Sequence, residues 1–127
     1  MVGSGQVRGK AWHGFVNVGP WGTCFTGVGY ATACSPRIAW PQHEATGVDQ
    51  ISSSGSGFGF SVVFGETSPA VSYLILTTTT GLTAKVFVVS VADRKFFSYA
   101  TANRDPVVQW SAYNAEGQQV ASGRPLR

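Results

Sequence analysis

The chain has 127 residues, 43% of them hydrophobic, and a formal net charge of +3 at pH 7. That is one domain's length with enough apolar material for its own core, which excludes an intrinsically disordered chain. Charged residues make up only 12%, about half the usual ~25%; Gly, Ser, Thr and Val take their place and favour strands and turns over helices. The nine Lys and Arg side chains are scattered. They are densest at Arg94-Lys95 and lack the basic stripe that neutralises a row of phosphates, so no nucleic-acid partner is expected. No apolar run reaches the ~20 residues of a membrane-spanning helix. The start, Met1–Gly5, lacks the charged beginning and apolar centre of a signal peptide.

In chain order, residues 1–10 are Gly-rich and aperiodic and read as a flexible arm or linker. Residues 11–123 read as a β-sandwich domain and 124–127 as a tail. From Ala11 to Val18 the pattern is strand-like, with Trp12, Phe15, Val16 and Val18 set among small or polar residues, and Pro20 ends it. Trp21 to Cys34 holds a second strand that reverses near Gly27–Gly29. Ser35 to Gly57 is irregular, with Pro36, Pro41 and a Ser/Gly tract, and is expected to be a long loop.

The second half is more regular. Phe58, Phe60, Val62 and Phe64 recur at period two, opposite Gly59, Ser61 and Val63. Val71–Thr77, Lys85–Val91, Lys95–Ala100, Val107–Tyr113 and Gln118–Ser122 follow as strands. Ala92-Asp93-Arg94 is a tight turn, and Asn114–Gly117 is a hairpin turn with Gly at the left-handed position. About eight short strands, frequent turn signals and no helical period predict an all-β fold, an antiparallel two-sheet sandwich of immunoglobulin-like kind.

Cys24 and Cys34 lie ten residues apart. A hairpin between them brings the side chains within bonding distance, and a disulfide there fits an oxidising compartment. Two buried thiols packed as small hydrophobes are the alternative. Redox chemistry lacks its Cys-x-x-Cys spacing, and a catalytic thiol its base and positive field.

Candidate chemistry is sparse. His13, His43, Glu44 and Asp49 are the only loose group of metal-ligand types, and adjacent His43 and Glu44 point to opposite faces of a strand, so no metal and no cofactor is expected. A Ser-His-acid arrangement is conceivable, but no Gly-x-Ser-x-Gly elbow is present. Gly55-Ser56-Gly57-Phe58-Gly59 opens a strand rather than the helix that a phosphate loop requires. The expectation is therefore a chain without catalytic residues. Aromatics stand out more. Trp110 reads as the core tryptophan. Trp21 and Trp40, beside prolines, are candidates for exposure, and with Trp12 and His43 they form the possible binding surface for a protein or carbohydrate ligand. Capping the open ends of the sandwich is the plainer role for Trp21 and Trp40.

The run Arg94-Lys95-Phe96-Phe97-Ser98-Tyr99-Ala100, then Pro106 to Gly123 with its Trp110-Ser111-Ala112-Tyr113-Asn114-Ala115-Glu116-Gly117 hairpin, resembles the extracytoplasmic C-terminal β-domain of uncharacterised actinobacterial membrane-anchored proteins. It covers about a third of the chain. The resemblance implies an extracytoplasmic location, a membrane-anchored parent protein and a binding, sensing or interaction role. It transfers no catalytic residues. A carbohydrate-binding module and a small hydrolase centred on His13 or His43 are the alternatives.

Overall fold

The computed structural model describes residues 2–7, 9–28, 30–36, 48–55, 60–102 and 104–124. Among them the fold is all-β and antiparallel, a sandwich without helices. The first sheet is a meander in the order β1 (Gly3–Val7), β2 (Lys10–Gly19), β3 (Gly22–Val28) and β4 (Tyr30–Pro36). The chain then lays down β5 (Val48–Gly55) and β6 (Phe60–Thr67), moves away for β7 (Tyr73–Thr78) and β8 (Thr83–Phe87), and returns for β9 (Val89–Val91) and β10 (Arg94–Ala102). It finishes with β11 (Val107–Tyr113) and β12 (Gln119–Gly123). The second sheet runs β5-β6-β10-β9 and the third β12-β11-β7-β8.

The second sheet lies between the other two. Val62, Phe64, Phe96 and Ala100 turn to the first sheet and pack with Val2, Trp12 and Phe25. Val63 and Phe97 turn the other way and pack with Val71, Leu74, Leu76, Val107, Trp110 and Ala112 of the third. Every residue from Ser61 to Ser68 is buried, as a strand covered on both faces must be. Such burial requires that the strand's polar groups find partners. Glu66 has the Arg94 guanidinium at 2.5 Å, both side chains nearly enclosed. Lys95 donates from Nζ to the carbonyls of Pro69 and Val71 (2.8 and 3.1 Å), closing the passage from β6 to β7.

The sandwich class stands, but the expectation of two sheets and about eight strands is corrected to three sheets and twelve strands among the described residues. The eight strands β5 to β12 form a two-sheet sandwich by themselves, and the meander adds a third layer. Residues 3–7, expected in a flexible arm, form β1 and pair with β2, while Val2 is buried in the core. Val48–Gly55, expected in a long loop, is β5 and pairs with β6.

The stretch Lys85–Val91, which reads as one strand, is two: it is shared between β8 and β9. Val88 donates its amide to Ser72 (3.2 Å) at the junction, and the chain crosses there from the third sheet to the second. The inward side changes with it: Val86 and Val88 pack on the core of the third sheet, and Val91 on that of the first. The turns come out as expected. Ala92 and Asp93 both have positive φ (50° and 64°) between β9 and β10, the conformation of a two-residue hairpin turn. Gly117 (φ 80°) lies in the β11–β12 turn, where the Asn114 side-chain oxygen accepts from the amides of Glu116 and Gln118.

Adjacent phenylalanines in β10 thus serve opposite layers. Phe96→Ala and Phe97→Ala are each expected to cost about 3–5 kcal/mol in urea denaturation. A cost below about 1 kcal/mol for either would mean that its side of the middle sheet is not packed.

Candidate functional site

The third sheet ends at β8, the second at β9 and the first at β1. These three edges converge on a groove of about 310 Å³ lined by Val2, Gly3 and Ser4 of β1, Trp12 of β2, Lys85, Val86 and Phe87 of β8, Val89 of β9, and Ser98 and Tyr99 of β10. The volume is at the lower end of the ~300–1,000 Å³ usual for ligand sites. Glycine makes the groove's first wall possible. A side chain at Gly5 would begin 2.9 Å from Nε1 of Trp12, the residue opposite it in the ladder, and one at Gly3 would collide with the Trp12 ring and the Ser98 carbonyl. Trp12 meets Tyr99 edge-on, ring centres 6.0 Å apart, beneath the groove.

Along the rim runs a row of aromatic rings on the outer face of the third sheet. Phe87, Tyr73 and Tyr113 are partners in the β8-β7-β11 ladders. Tyr73 and Tyr113 are stacked 5.0 Å apart and nearly parallel, at 8°. Lys85 Nζ lies 4.3 Å from the Tyr73 ring centre and 5.1 Å from that of Phe87, a cation–π contact. Phe87 itself is 62% exposed. One face of Tyr73 is therefore covered by Tyr113 and the other by Lys85, so the row is a wall of upright rings, not a flat platform.

The sequence-derived surface residues part company. Trp21, 59% exposed, sits in the β2–β3 hairpin turn and lies over Gly19, whose hydrogen stands where a Cβ would be 2.8 Å from Trp21 Nε1. Trp12 is corrected from a surface residue to a core residue: it is 2% exposed, because the glycines opposite it in β1 admit its indole. Trp40, His43 and Glu44 lie outside the described residues. Trp110 is in the core at 8% exposure, over Gly123, its partner in β12. His13 is half-buried on the outer face of the first sheet beside Phe15 (6.4 Å), with no hydrogen bond to Ser or acid among the described residues. Phe87, Lys85 and Val89 escape a reading of the sequence because they fall inside an apparently continuous strand.

Cys24 and Cys34 form a disulfide between directly opposed residues of β3 and β4, Cα atoms 4.0 Å apart. It is compatible with an oxidising, extracytoplasmic location. No helix among the described residues is long and apolar enough to cross a membrane. No family model matches the chain, and no curated protein or solved structure shows significant similarity to it.

The far end of β8 is fixed by the turn Thr78–Leu82. Asp105 accepts from the Thr80 amide and hydroxyl (2.9 and 2.8 Å). Desolvation raises the Asp105 pKa, but the hydrogen bonds from Thr80 and Thr78 together outweigh it and hold the carboxyl below its ordinary value.

Two outcomes follow from these contacts. Replacing both cysteines by serine reopens a loop whose closure contributes about 2.5–3 kcal/mol, so urea denaturation should show a loss of that size; no loss would mean the bridge does not constrain the unfolded chain. A depressed native pKa stabilises above the unfolded-state value and the benefit is lost as pH falls through the native one. The stability advantage of the wild type over Asp105→Asn should therefore be full above about pH 5 and fade below the ordinary aspartate value of about 3.9. A pH-independent difference would show that the carboxylate charge is not what holds the turn.

Proposed function

We propose that the chain is a non-enzymatic interaction domain, working outside the cytoplasm, that grips a segment of a protein partner in the groove between β1 and β8. The observation carrying this reading is the convergence of three sheet edges on one concave site rimmed by Phe87, Val89 and Lys85. Large exposed apolar side chains beside open strand edges are an aggregation hazard in an isolated domain, and a partner that covers them removes it. The Cys24–Cys34 bridge supports the extracytoplasmic placement, and the resemblance of the C-terminal hairpin supports a membrane-anchored parent. Catalysis is disfavoured by His13, which meets neither a serine nor an acid within hydrogen-bond reach among the described residues.

A carbohydrate-binding module is the second reading, and Trp21 is what favours it: its exposed indole rests one side on Gly19 and leaves the other for a sugar ring. The wall of stacked tyrosines offers no comparable face.

Selection from an unbiased displayed-peptide library and a glycan array, each followed by amide chemical-shift mapping, separates the two. The expected result is a peptide whose binding shifts residues of β1, β8 and β9. A glycan that shifts residues around Trp21 would establish the second reading instead, and an absence of binders in both would overturn the interaction domain.

A further inference from the structure

We infer that the groove takes its ligand as an added β-strand against β8, and that the preferred strand carries an acidic side chain between apolar ones. This rests on the interaction-domain reading and specifies the chemistry of its ligand. In the β7–β8 ladder the hydrogen-bonded positions are marked at both ends: Thr78 donates to Leu82 (2.9 Å) and Val88 to Ser72 (3.2 Å). Antiparallel pairing alternates, so Ala84 and Val86 bond inward to β7, while the amides and carbonyls of Thr83, Lys85 and Phe87 point to the free edge. Three consecutive outward-facing pairs are the hydrogen-bonding complement of an extended peptide, the arrangement used in strand addition.

The side chains set the pattern of that peptide. On the inner side the groove presents Val86 and Val89, backed by the buried Val2 and Trp12, which calls for small apolar residues at alternate positions. On the outer side the residue opposite Lys85 meets an ammonium that has no acid within ion-pair distance among the described residues and is held between two rings. A carboxylate there completes an ion pair at the end of the cation–π contact. The same charge argues against a second copy of this chain as the occupant, because antiparallel self-pairing about Lys85 sets two ammonium groups opposite each other. β1 bounds the groove on the other side with Gly3 and Ser4, small enough to leave room for the incoming backbone.

The probes are synthetic heptapeptides alternating valine and threonine, with glutamate or lysine at the centre, and a glutamate version N-methylated at alternate amides. Binding is read by fluorescence anisotropy on the full chain and on Lys85→Glu. The glutamate peptide should bind about tenfold more tightly than the lysine peptide, the size expected from exchanging an opposite for a like charge across strands. Lys85→Glu should invert that order, and N-methylation at the edge-facing amides should abolish binding. Lys85 is exposed, so the variant is expected to fold, and an unchanged thermal transition checks this. Equal binding of the two peptides, tolerance of N-methylation or no inversion would overturn strand addition. The interaction domain would survive any of those results so long as the unbiased library yields groove binders. A concentration-dependent dimer in sedimentation, lost on Phe87→Ala, would assign the edge to a second copy and equally overturn the proposal.

Discussion

The architecture depends on a middle sheet with no solvent face. β6 and β10 must be covered on both sides, and a two-sheet sandwich covers only one. Val62, Phe64 and Phe96 would otherwise present a continuous apolar face to water, at a cost of roughly 25 cal/mol per Å² exposed. The meander β1–β4 is therefore not an appendage to the sandwich but its missing lid. The same demand explains the enclosed Glu66–Arg94 pair, since a carboxylate in that position is tolerable only with a cation beside it.

Glycine placement translates this demand into geometry. The two buried indoles each lie over a neighbouring strand of their own sheet at positions that carry no side chain. Trp12 has Gly3 and Gly5, and Trp110 has Gly123. A chain with 16 glycines suggests looseness, yet here several of them are the negative image of a tryptophan. The site inherits this arrangement: Trp12 is a core residue in its packing and part of the groove's lining at once.

Much of the fold is legible in the sequence. Period-two alternation locates most strands of the second half, the Asn114–Gly117 and Ala92–Asp93 turns announce themselves by residue type, and the ten-residue spacing of Cys24 and Cys34 makes the bridge a natural expectation. The layer count is harder to see, although Val62-Val63-Phe64 and Phe96-Phe97 carry the signal: consecutive apolar residues point to opposite faces, so both faces are buried. The edge site is less accessible still. Alternation continues unbroken from Lys85 to Val91, and only tertiary contacts show that Val88 hands the chain from one sheet to the next. Burial of Trp12 is equally hidden, because it depends on which strand pairs beside β2.

The order of strands also bears on how the molecule comes together. The meander pairs each strand with its sequence neighbour and closes through short loops. The central ladders of the other sheets do not. β6 pairs with β10 only after β7 to β9 have been laid down, and β7 waits for β11. Loop-closure entropy must be overcome before those long-range pairings return any energy. The chain thus combines a local element that closes through short loops with an interleaved pair of sheets in which neither can be completed without the other, and the meander covers only the Val62 and Phe64 side of β6.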